Sequence, residues 1–409
     1  MKVSVIGLGV GYGLACSLAS TGLETIGLDI TPSVLKGPRY DRTVAELLRR
    51  DQVAINRNLH LTSDYEDIDN SSIVIIIVNT ELSGDTLNIT HVLSSVKSVL
   101  TRHGIADIVI VSTLPSGASK EIRRNMEGFG RKGGRNYVYS PVMISQGDLL
   151  PSFLNPPFLV FGAYDTETGL RVQDFYHEWL RKAGGVIPDS HIIPPEEAEL
   201  VKLIANGFGS TKIAYANMCG ELCERLGVNG RRVLDVVGSH RHIGRGFFKP
   251  GYAFGGQCLP KDLTALVALA KKNRMALPIL EAVEEANRSR LLHPLRECPA
   301  LGTEPTLILG LSYKTGIADT RSSPGLQLLE ELRKGNPEVY GYDPNLPSFQ
   351  QLPKNPPKIV VATTREPEFY KLLASYNGRN LVVIDYSELV DPQRKPTNWR
   401  VFQAGRGWL

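Results

Sequence analysis

The sequence has little cysteine, no long apolar run and no surplus charge worth the name. Five cysteines (Cys16, Cys219, Cys223, Cys258, Cys298) stand in 409 residues. An odd, sparse set in so long a chain argues against a disulfide framework. Cys219 and Cys223 are four apart on an expected helix, a spacing that could share a metal. No histidine or further cysteine stands near them at ligand spacing, so they read as small buried side chains and no metal site is expected. The longest apolar run, Ile73 to Val78, is strand length. It falls far below the roughly 18 residues a helix needs to cross lipid, so no membrane span is expected. Formal net charge is +4, and the basic doublets (Arg49-Arg50, Arg131-Lys132, Arg231-Arg232, Lys271-Lys272) are scattered. They read as solvated faces, and a nucleic-acid partner is not expected. Met1-Lys2 leads straight into the apolar run Val3–Ile6, leaving no room for a signal peptide, so the cytoplasm is the expected compartment.

What is present is ordinary for a soluble globular protein: 42% hydrophobic and 22% charged residues. Single cores stop growing near roughly 250–300 residues, so two or three domains are expected. In the first third, short apolar runs (Val3–Ile6, Thr25–Leu28, Ile73–Val78, Ile108–Val111, Leu159–Phe161) alternate with amphipathic stretches such as Leu14–Ser20, Val44–Arg50 and Val92–Leu100. Strands alternating with helices predict a parallel, doubly wound α/β sheet. From Pro195 to about Leu226 runs one long helical pattern, with Glu196-Glu197 in its first turn as the helix dipole prefers. Further helices are expected near Arg231–Val237, Leu263–Lys272 and Ile279–Leu291, giving a helical spine and a dimer surface. The last third returns to α/β, with strands at Thr306–Leu309, Glu338–Tyr342, Lys358–Ala362 and Leu381–Ile384 and a helix at Gly325–Lys334. The expected division is residues 1–190, 191–298 and 299–409: two Rossmann-like doubly wound domains joined by a long central helix and a helical middle domain.

Two constellations carry chemistry. Val3–Ile6 ends in Gly7-Leu8-Gly9-Val10-Gly11-Tyr12-Gly13, and a helix follows. Glycines at a strand-to-helix turn let the backbone approach a pyrophosphate, whose charge the helix N-terminus stabilises. The next strand ends in Asp29, placed to accept from adenosine ribose hydroxyls. Ile30 and Thr31 follow it rather than arginine, which favours NAD over NADP. Tyr12 occupies the usual third glycine position, with glycines at 11 and 13 instead, as if the loop had lost one residue. The second constellation is Gly255-Gly256-Gln257-Cys258-Leu259-Pro260-Lys261-Asp262. Pro260 suits the first turn of a helix. A cysteine just before that turn feels the helix dipole, and Lys261 is adjacent; both favour thiolate. Asp262 lies four residues on, so it and Cys258 share a face, where a carboxylate could orient a water. Lys202 and Asn206, four apart on the long helix, would present an ammonium and an amide to a developing oxyanion.

Together these residues resemble the UDP-glucose/GDP-mannose dehydrogenase family over nearly the whole chain. The family's G-G-x-C-L-P-K-D stands at Gly255–Asp262 and its E-x-x-K-x-x-x-N at Glu199, Lys202 and Asn206. Its S-T-V-P-x-G loop is similar to Ser112-Thr113-Leu114-Pro115-Ser116-Gly117. Its K-x₆-R-x-S-P run is similar to Lys314, Arg321, Ser323 and Pro324, and Asp343-Pro344 resembles its Y-D-P. The resemblance implies a sugar 6-hydroxyl oxidised by NAD to an aldehyde, attack by Cys258, a second oxidation to a thioester, and hydrolysis to the uronate. By matched position Lys202 and Asn206 would stabilise the oxyanion, and Thr113 and Asp262 would hold the water. The resemblance further implies NAD contacts from Gly7, Gly9, Val10, Gly11, Asp29, Thr80, Thr113 and Arg321. Nucleotide-sugar contacts, with a UDP-sugar favoured, would come from Lys202, Asn206, Lys249, Phe254, Gly255, Lys314 and Arg321. The family is usually a homodimer through the long helix.

Three departures stand out. The family's S-P-E-x-x-x-E is here Ser140-Pro141-Val142-Met143-Ile144-Ser145-Gln146, with both carboxylates gone. Val142 can neither take a proton nor align water, and a lost general base costs about 10²–10⁴ in rate. This leaves open an alternative: a two-electron oxidation, or an atypical substrate. The family's V-D-x-R-N arginine is Ser387, and its R-I-G arginine is His242, flanked by Arg241 and Arg245.

Overall fold

The structure is a computed structural model that describes residues 1–36, 42–128, 136–145 and 147–409. Gln146 and the doublet Arg131-Lys132 lie outside the described residues. The chain divides into two compact units, Met1–Ile204 and Ala205–Leu409.

The first unit is built on an eight-stranded sheet. Its strands are β1 (Lys2–Ile6), β2 (Glu24–Leu28), β3 (Leu59–Thr62), β4 (Ile73–Ile76), β5 (Asp107–Ile110), β6 (Asn136–Tyr139), β7 (Leu159–Ala163) and β8 (Ser190–Ile193). They lie in the order β8-β7-β6-β5-β4-β1-β2-β3. Neighbours are parallel except β6 and β7, which run antiparallel. Strand residues alternate between the two faces, so near-continuous apolar runs feed two cores. Val3, Val5, Ile73, Ile75 and Val109 pack on one side. Ile6, Val74, Ile76, Ile108 and Ile110 pack on the other. Each such fully buried side chain contributes about 1.5–3 kcal/mol. One slip in register would exchange the two sets.

The order places β1 beside β4 on one side and β2 on the other, so the chain reverses direction of winding at β1. In open α/β sheets that point, at the carboxyl ends of the strands, is where ligands bind. Four loops emerge there: Gly7 after β1, Asp29 after β2, the segment reaching Thr80 after β4, and Ser112–Thr113 after β5.

The second unit carries a six-stranded sheet: β9 (Thr306–Leu309), β10 (Val339–Tyr342), β11 (Ile359–Ala362), β12 (Leu381–Asp385), β13 (Trp399–Gln403) and β14 (Gly407–Trp408). The order is β10-β9-β11-β12-β13-β14, parallel but for the last pair. It too is covered on both faces: Ile308, Val361 and Ile384 enter one core, Leu307, Val360 and Val383 the other. This confirms the expected α/β class with two doubly wound sheets.

The helix Pro195–Arg225 has 31 residues, about 46 Å at 1.5 Å per residue, and carries Glu196 and Glu197 in its first turn. The helices Gly230–Gly238, Leu259–Lys272 and Pro278–Leu291 follow it. Along the long helix Phe208, Tyr215, Met218 and Leu222, and Leu226 just past its end, are all more than half exposed. Among the described residues no helix is long and apolar enough to cross a membrane.

Candidate active site

The first constellation lies in the first unit. Gly7 adopts a left-handed backbone, φ +94°, and a Cβ there would sit 2.4 Å from the carbonyl oxygen of Ile77. Only glycine allows β1 to turn into the helix Leu8–Ser20 so abruptly. A Cβ on Gly9 would meet nothing within 4 Å, whereas one on Gly11 would strike Ile77 and Val5 at 2.7 and 2.8 Å. Gly11 thus performs the close helix–sheet packing expected of a third glycine. The space over Gly9 is open to a ligand.

The first helical turn has N–H groups without intrahelical acceptors. Gly11 N–H already returns to Gly7 O at 3.1 Å. Leu8 N–H donates to Asp29 Oδ2 at 2.8 Å, while Thr31 N–H donates to Oδ1 at 2.9 Å. The N–H groups of Gly9 and Val10 therefore remain at the helix N-terminus, the arrangement that suits a pyrophosphate. Asp29 thus braces the loop, beyond its expected part in binding ribose. The open glycine, the helix terminus and the acid at the end of β2 fit a dinucleotide with free 2′- and 3′-hydroxyls. Around them, Ser112 Oγ accepts from Val78 N–H at 2.7 Å and donates to Val78 O at 2.8 Å, tying the β4 and β5 loops together. Thr80 and Thr113 beside this tie are buried.

Glu199 emerges with a role the motif did not reveal. It is fully buried. Its carboxylate accepts from Gly117 N–H and Ser119 N–H, both at 2.6 Å. Those N–H groups belong to the start of the helix Ala118–Gly128, so Glu199 fixes the end of the Ser112–Gly117 loop. Burial pushes its carboxyl above the ordinary value, and these hydrogen bonds oppose the shift. Lys202 lies on the same helix one turn before Asn206 and is buried. Val142 is half-buried and packs against the apolar core with Ile144.

The second constellation lies in the second unit. Cys258 is the residue preceding the helix Leu259–Lys272, with Pro260 in the first turn. Asp262 N–H closes that turn on Cys258 O at 3.0 Å. The Lys261 ammonium pairs with Asp262 Oδ1 at 2.5 Å. The fully buried Asp262 carboxylate takes Lys261 on one oxygen and Asn206 Nδ2 on the other, at 2.6 Å, partners that the spacing to Cys258 did not indicate. A buried carboxylate needs such partners. The result is a rigid Asn206–Asp262–Lys261 network under the first turn of the cysteine helix.

The loop before Cys258 is pressed against the run Tyr313–Pro324. Gly256 N–H donates to Arg321 O at 3.1 Å. A Cβ on Gly255 would lie 2.2 Å from Ser322 O, and one on Gly256 2.6 Å from the Tyr313 ring. The two glycines are therefore required by contact with a segment about sixty residues away in sequence, itself held with Ser322 at φ +48°. Burial pushes the Tyr313 phenol well up, and Asp319 and Cys258 add to the rise. Phe254 is clamped by Asn287, whose side chain accepts from Phe254 N–H at 2.8 Å and donates to its carbonyl at 3.0 Å. Arg321, expected to reach a ligand, forks onto Asp319 at 2.6 and 3.0 Å. Lys314 is half-buried and Lys249 exposed. Sequence reasoning missed Asn287, Tyr313 and Asp319, and no local pattern marks the first two.

The fold and first-turn geometry define an NAD-binding α/β dehydrogenase with a helix-capping cysteine in its second unit. Models of one family match consecutive segments: its NAD binding domain at residues 1–180, its central domain at 196–289 and its UDP binding domain at 307–392. The chain belongs to the UDP-glucose/GDP-mannose dehydrogenase family and is an NAD-dependent nucleotide-sugar dehydrogenase. It is 28% identical to a UDP-N-acetyl-D-mannosamine dehydrogenase of Pyrococcus horikoshii, over the whole of both chains. It is 30% identical to a GDP-mannose 6-dehydrogenase of Pseudomonas putida, covering 85% of this chain and 81% of that one. A solved UDP-glucose dehydrogenase from Pyrobaculum islandicum superposes with a TM-score of 0.84 at 25% identity, covering 100% of this chain and 98% of the other.

Proposed function

We propose that the protein oxidises the C6 hydroxyl of a nucleotide sugar, UDP-glucose or a UDP-N-acetylhexosamine, through the aldehyde to the uronate, with Cys258 as nucleophile. The observation that carries this reading is Cys258 at the N-terminus of its helix, above a carboxylate already fixed by Asn206 and Lys261. The Gly7–Gly11 turn and Asp29, with Thr80 and Thr113 beside them, would hold NAD, which would supply the hydride acceptor for each oxidation, one molecule per hydride. Cys258 Sγ adds to the C6 aldehyde carbon, and the carbonyl oxygen becomes the alkoxide of a thiohemiacetal. The Lys202 ammonium and the Asn206 amide stabilise that charge. Loss of the C6 hydride leaves a thioester. Water then adds at C6, the C–S bond breaks, the thiol recovers a proton, and the carboxylate leaves. Asp262 and Thr113 orient the water. Phe254, Gly255, Lys249 and Lys314 contact the nucleotide sugar, as the family motifs suggest.

We further propose a three-part organisation, residues 1–190, 191–298 and 299–409, and a homodimer through the long helix. The exposed Phe208, Tyr215, Met218, Leu222 and Leu226 support the dimer, because a soluble surface seldom leaves such a stripe uncovered.

Val142 favours one alternative. Packed among apolar neighbours, it supplies no base, so hydrolysis of the thioester rests on Asp262 alone; the alternative reading is an enzyme that stops at the aldehyde after two electrons, or one with an atypical substrate. The deciding experiment is the NADH yield per substrate from a panel of UDP- and GDP-sugars, with product mass. Two NADH and a carboxylate support the four-electron reaction. One NADH with an aldehyde product supports the alternative, whereas two NADH with a thioester that persists on the protein means that both oxidations occur and only hydrolysis stalls. Cys258→Ala should abolish acid formation; undiminished acid production would remove Cys258 from the mechanism.

A further inference from the structure

The segment that leads to Cys258 is irregular backbone. Gly251-Tyr252-Ala253-Phe254-Gly255-Gly256-Gln257 belongs to no helix or strand, and a run so rich in glycine cannot order itself. Its buried polar groups must find partners elsewhere. They find them on three side chains from two helices. Asn217, on the long helix, accepts from Gly251 N–H at 2.8 Å and donates to Tyr252 O at 3.1 Å. Arg290, on the helix Pro278–Leu291, forks onto Gly251 O from Nε and Nη2 at 3.0 and 2.8 Å. Asn287, one turn earlier on that helix, holds both polar groups of the Phe254 backbone. The Tyr252 hydroxyl adds a bond to Leu291 O at 2.6 Å.

The clamp is itself held in place. Asn217 and Arg290 are buried. The Arg290 guanidinium lies over the Tyr386 ring, 5.4 Å from its centroid, and pairs at 3.5 Å with Glu221, one turn beyond Asn217. Apolar side chains behind the loop would let it slide. Amides and a guanidinium that fork onto its backbone fix its height and register, because hydrogen bonds weaken steeply when bent or stretched.

The anchors fall on both sides of Cys258. Asn206 and Asn217 lie about three turns apart on the long helix, so one helical face carries both. Asn217 grips the loop before the cysteine. Asn206 binds Asp262 in the first turn after it, at 2.6 Å. The thiol is suspended between two points of the helix that also carries the amide proposed to meet the oxyanion.

We infer that Asn217, Asn287 and Arg290 are positioning residues: acting through the backbone of the Gly251–Gln257 loop, they keep Cys258 in register with Asn206 and so govern the thiol-dependent steps. This rests on the reading of Cys258 as the nucleophile given above.

The full-length enzyme is compared with Asn287→Ala, which loses both bonds to Phe254, and with Asn287→Asp, which keeps the acceptor for its N–H. NADH yield, acid and semicarbazide-trapped aldehyde are measured per substrate, with the KM for NAD, the melting temperature and the amide exchange of the 251–258 segment by mass spectrometry. In Asn287→Ala that segment should exchange about tenfold faster, while the KM for NAD stays within about twofold. Acid formation should slow by about tenfold, since misplacement by about 1 Å can cost about 10²-fold. The first oxidation needs no thiol, so aldehyde should accumulate; simple destabilisation would instead lower both oxidations together. Asn287→Asp should fall between the two. Should Asn287→Ala fail to fold, Arg290→Lys keeps a cation beside Glu221 and one donor for Gly251 O, and the same pattern is expected at severalfold size. Aldehyde and acid reduced in equal proportion, or unchanged acid formation beside faster exchange, would overturn the positioning role. A wild type that yields one NADH and no acid would defeat the proposed reaction instead. The clamp is then judged by exchange alone: a faster rate in Asn287→Ala upholds it, and an unaltered one overturns it.

Discussion

The two doubly wound sheets solve the same local problem with opposite emphasis. Each first strand ends in a left-handed glycine, Gly7 at φ +94° and Gly310 at φ +93°. Each second strand ends in an aspartate that reaches back to the first loop. In the first unit Asp29 is partly exposed and takes one N–H of that loop, Leu8. A helix begins at once, and two N–H groups stay at its tip. In the second unit Asp343 is fully buried and takes two, from Leu311 and Ser312 at 2.9 and 2.8 Å, besides Asn345 N–H at 2.9 Å. The chain then runs on through Tyr313–Ser323 before its helix starts at Pro324. The first turn keeps donors for a ligand; the second consumes them in the protein. One architecture thus supplies an anion site in the first unit and a braced platform for the cysteine loop in the second.

That contrast can be broken most sharply at the two aspartates. Asp343→Ala strands three donors, two of them on the buried loop, at about 1–3 kcal/mol each when no water reaches them. We expect a loss of about 3 kcal/mol or more in chemical denaturation. Asp29→Ala frees donors that solvent can reach, so we expect about 1 kcal/mol of stability lost but at least a tenfold rise in KM for NAD. Equal stability losses in the two variants would mean that the turns are not specialised.

The next contrast lies within the first turn. Gly7→Ala drives a Cβ to 2.4 Å from a backbone oxygen at a positive φ, and backbone cannot yield as a side-chain tip can. The expected cost is about 2–4 kcal/mol. Gly9→Ala meets nothing within 4 Å, so the fold should keep its stability while NAD binding weakens severalfold. A Gly9→Ala protein with normal NAD affinity would remove the pyrophosphate from this turn.

Much of this was legible in the sequence where apolar runs were continuous. Val3–Ile6, Thr25–Leu28, Thr306–Leu309 and Leu381–Ile384 are all strands, the run Ile73–Val78 is strand as far as Ile76, and the 31-residue helix begins at Pro195 as its acidic first turn indicated. Among the strands that escaped notice, Leu59–Thr62, Asn136–Tyr139, Ser190–Ile193 and Trp399–Gln403 mix polar with apolar residues, and the first and third of these lie at a sheet edge. The helix after Gly7 begins at Leu8 rather than Leu14 because its glycines mask the helical pattern. For the candidate site, motifs pointed to residues but not to their partners. Asp262 turned to Asn206, 56 positions away, and Glu199 to Gly117, 82 positions away. Only the fold brings such pairs together, and local spacing overrates the neighbour in sequence.

The long helix itself offers a further, smaller contrast, since each unit draws one carboxylate from it to clamp backbone N–H groups, Glu199 fully buried and Glu224 half-buried. Glu199 clamps Gly117 and Ser119; Glu224 accepts from Gly405 N–H at 2.5 Å, at the tight turn between β13 and β14. Burial pushes the Glu224 carboxyl up to about 7, Gly405 and Arg290 pull it down, and Glu297 and Glu221 raise it further. A carboxyl whose value is higher in the folded chain favours folding while it is protonated. That contribution is complete below about 4.5 and is lost as pH rises through about 7. Glutamine keeps an acceptor for Gly405 N–H and never ionises. Glu224→Gln should therefore leave the melting temperature nearly unchanged at pH 5 and raise it by a few degrees at pH 8, an effect of about 1 kcal/mol. Melting curves across that range, run beside wild type and Glu199→Gln, decide the matter. An unaltered slope in Glu224→Gln would mean that the carboxyl titrates as if in water and that the β13–β14 turn is not held by a proton-sensitive clamp.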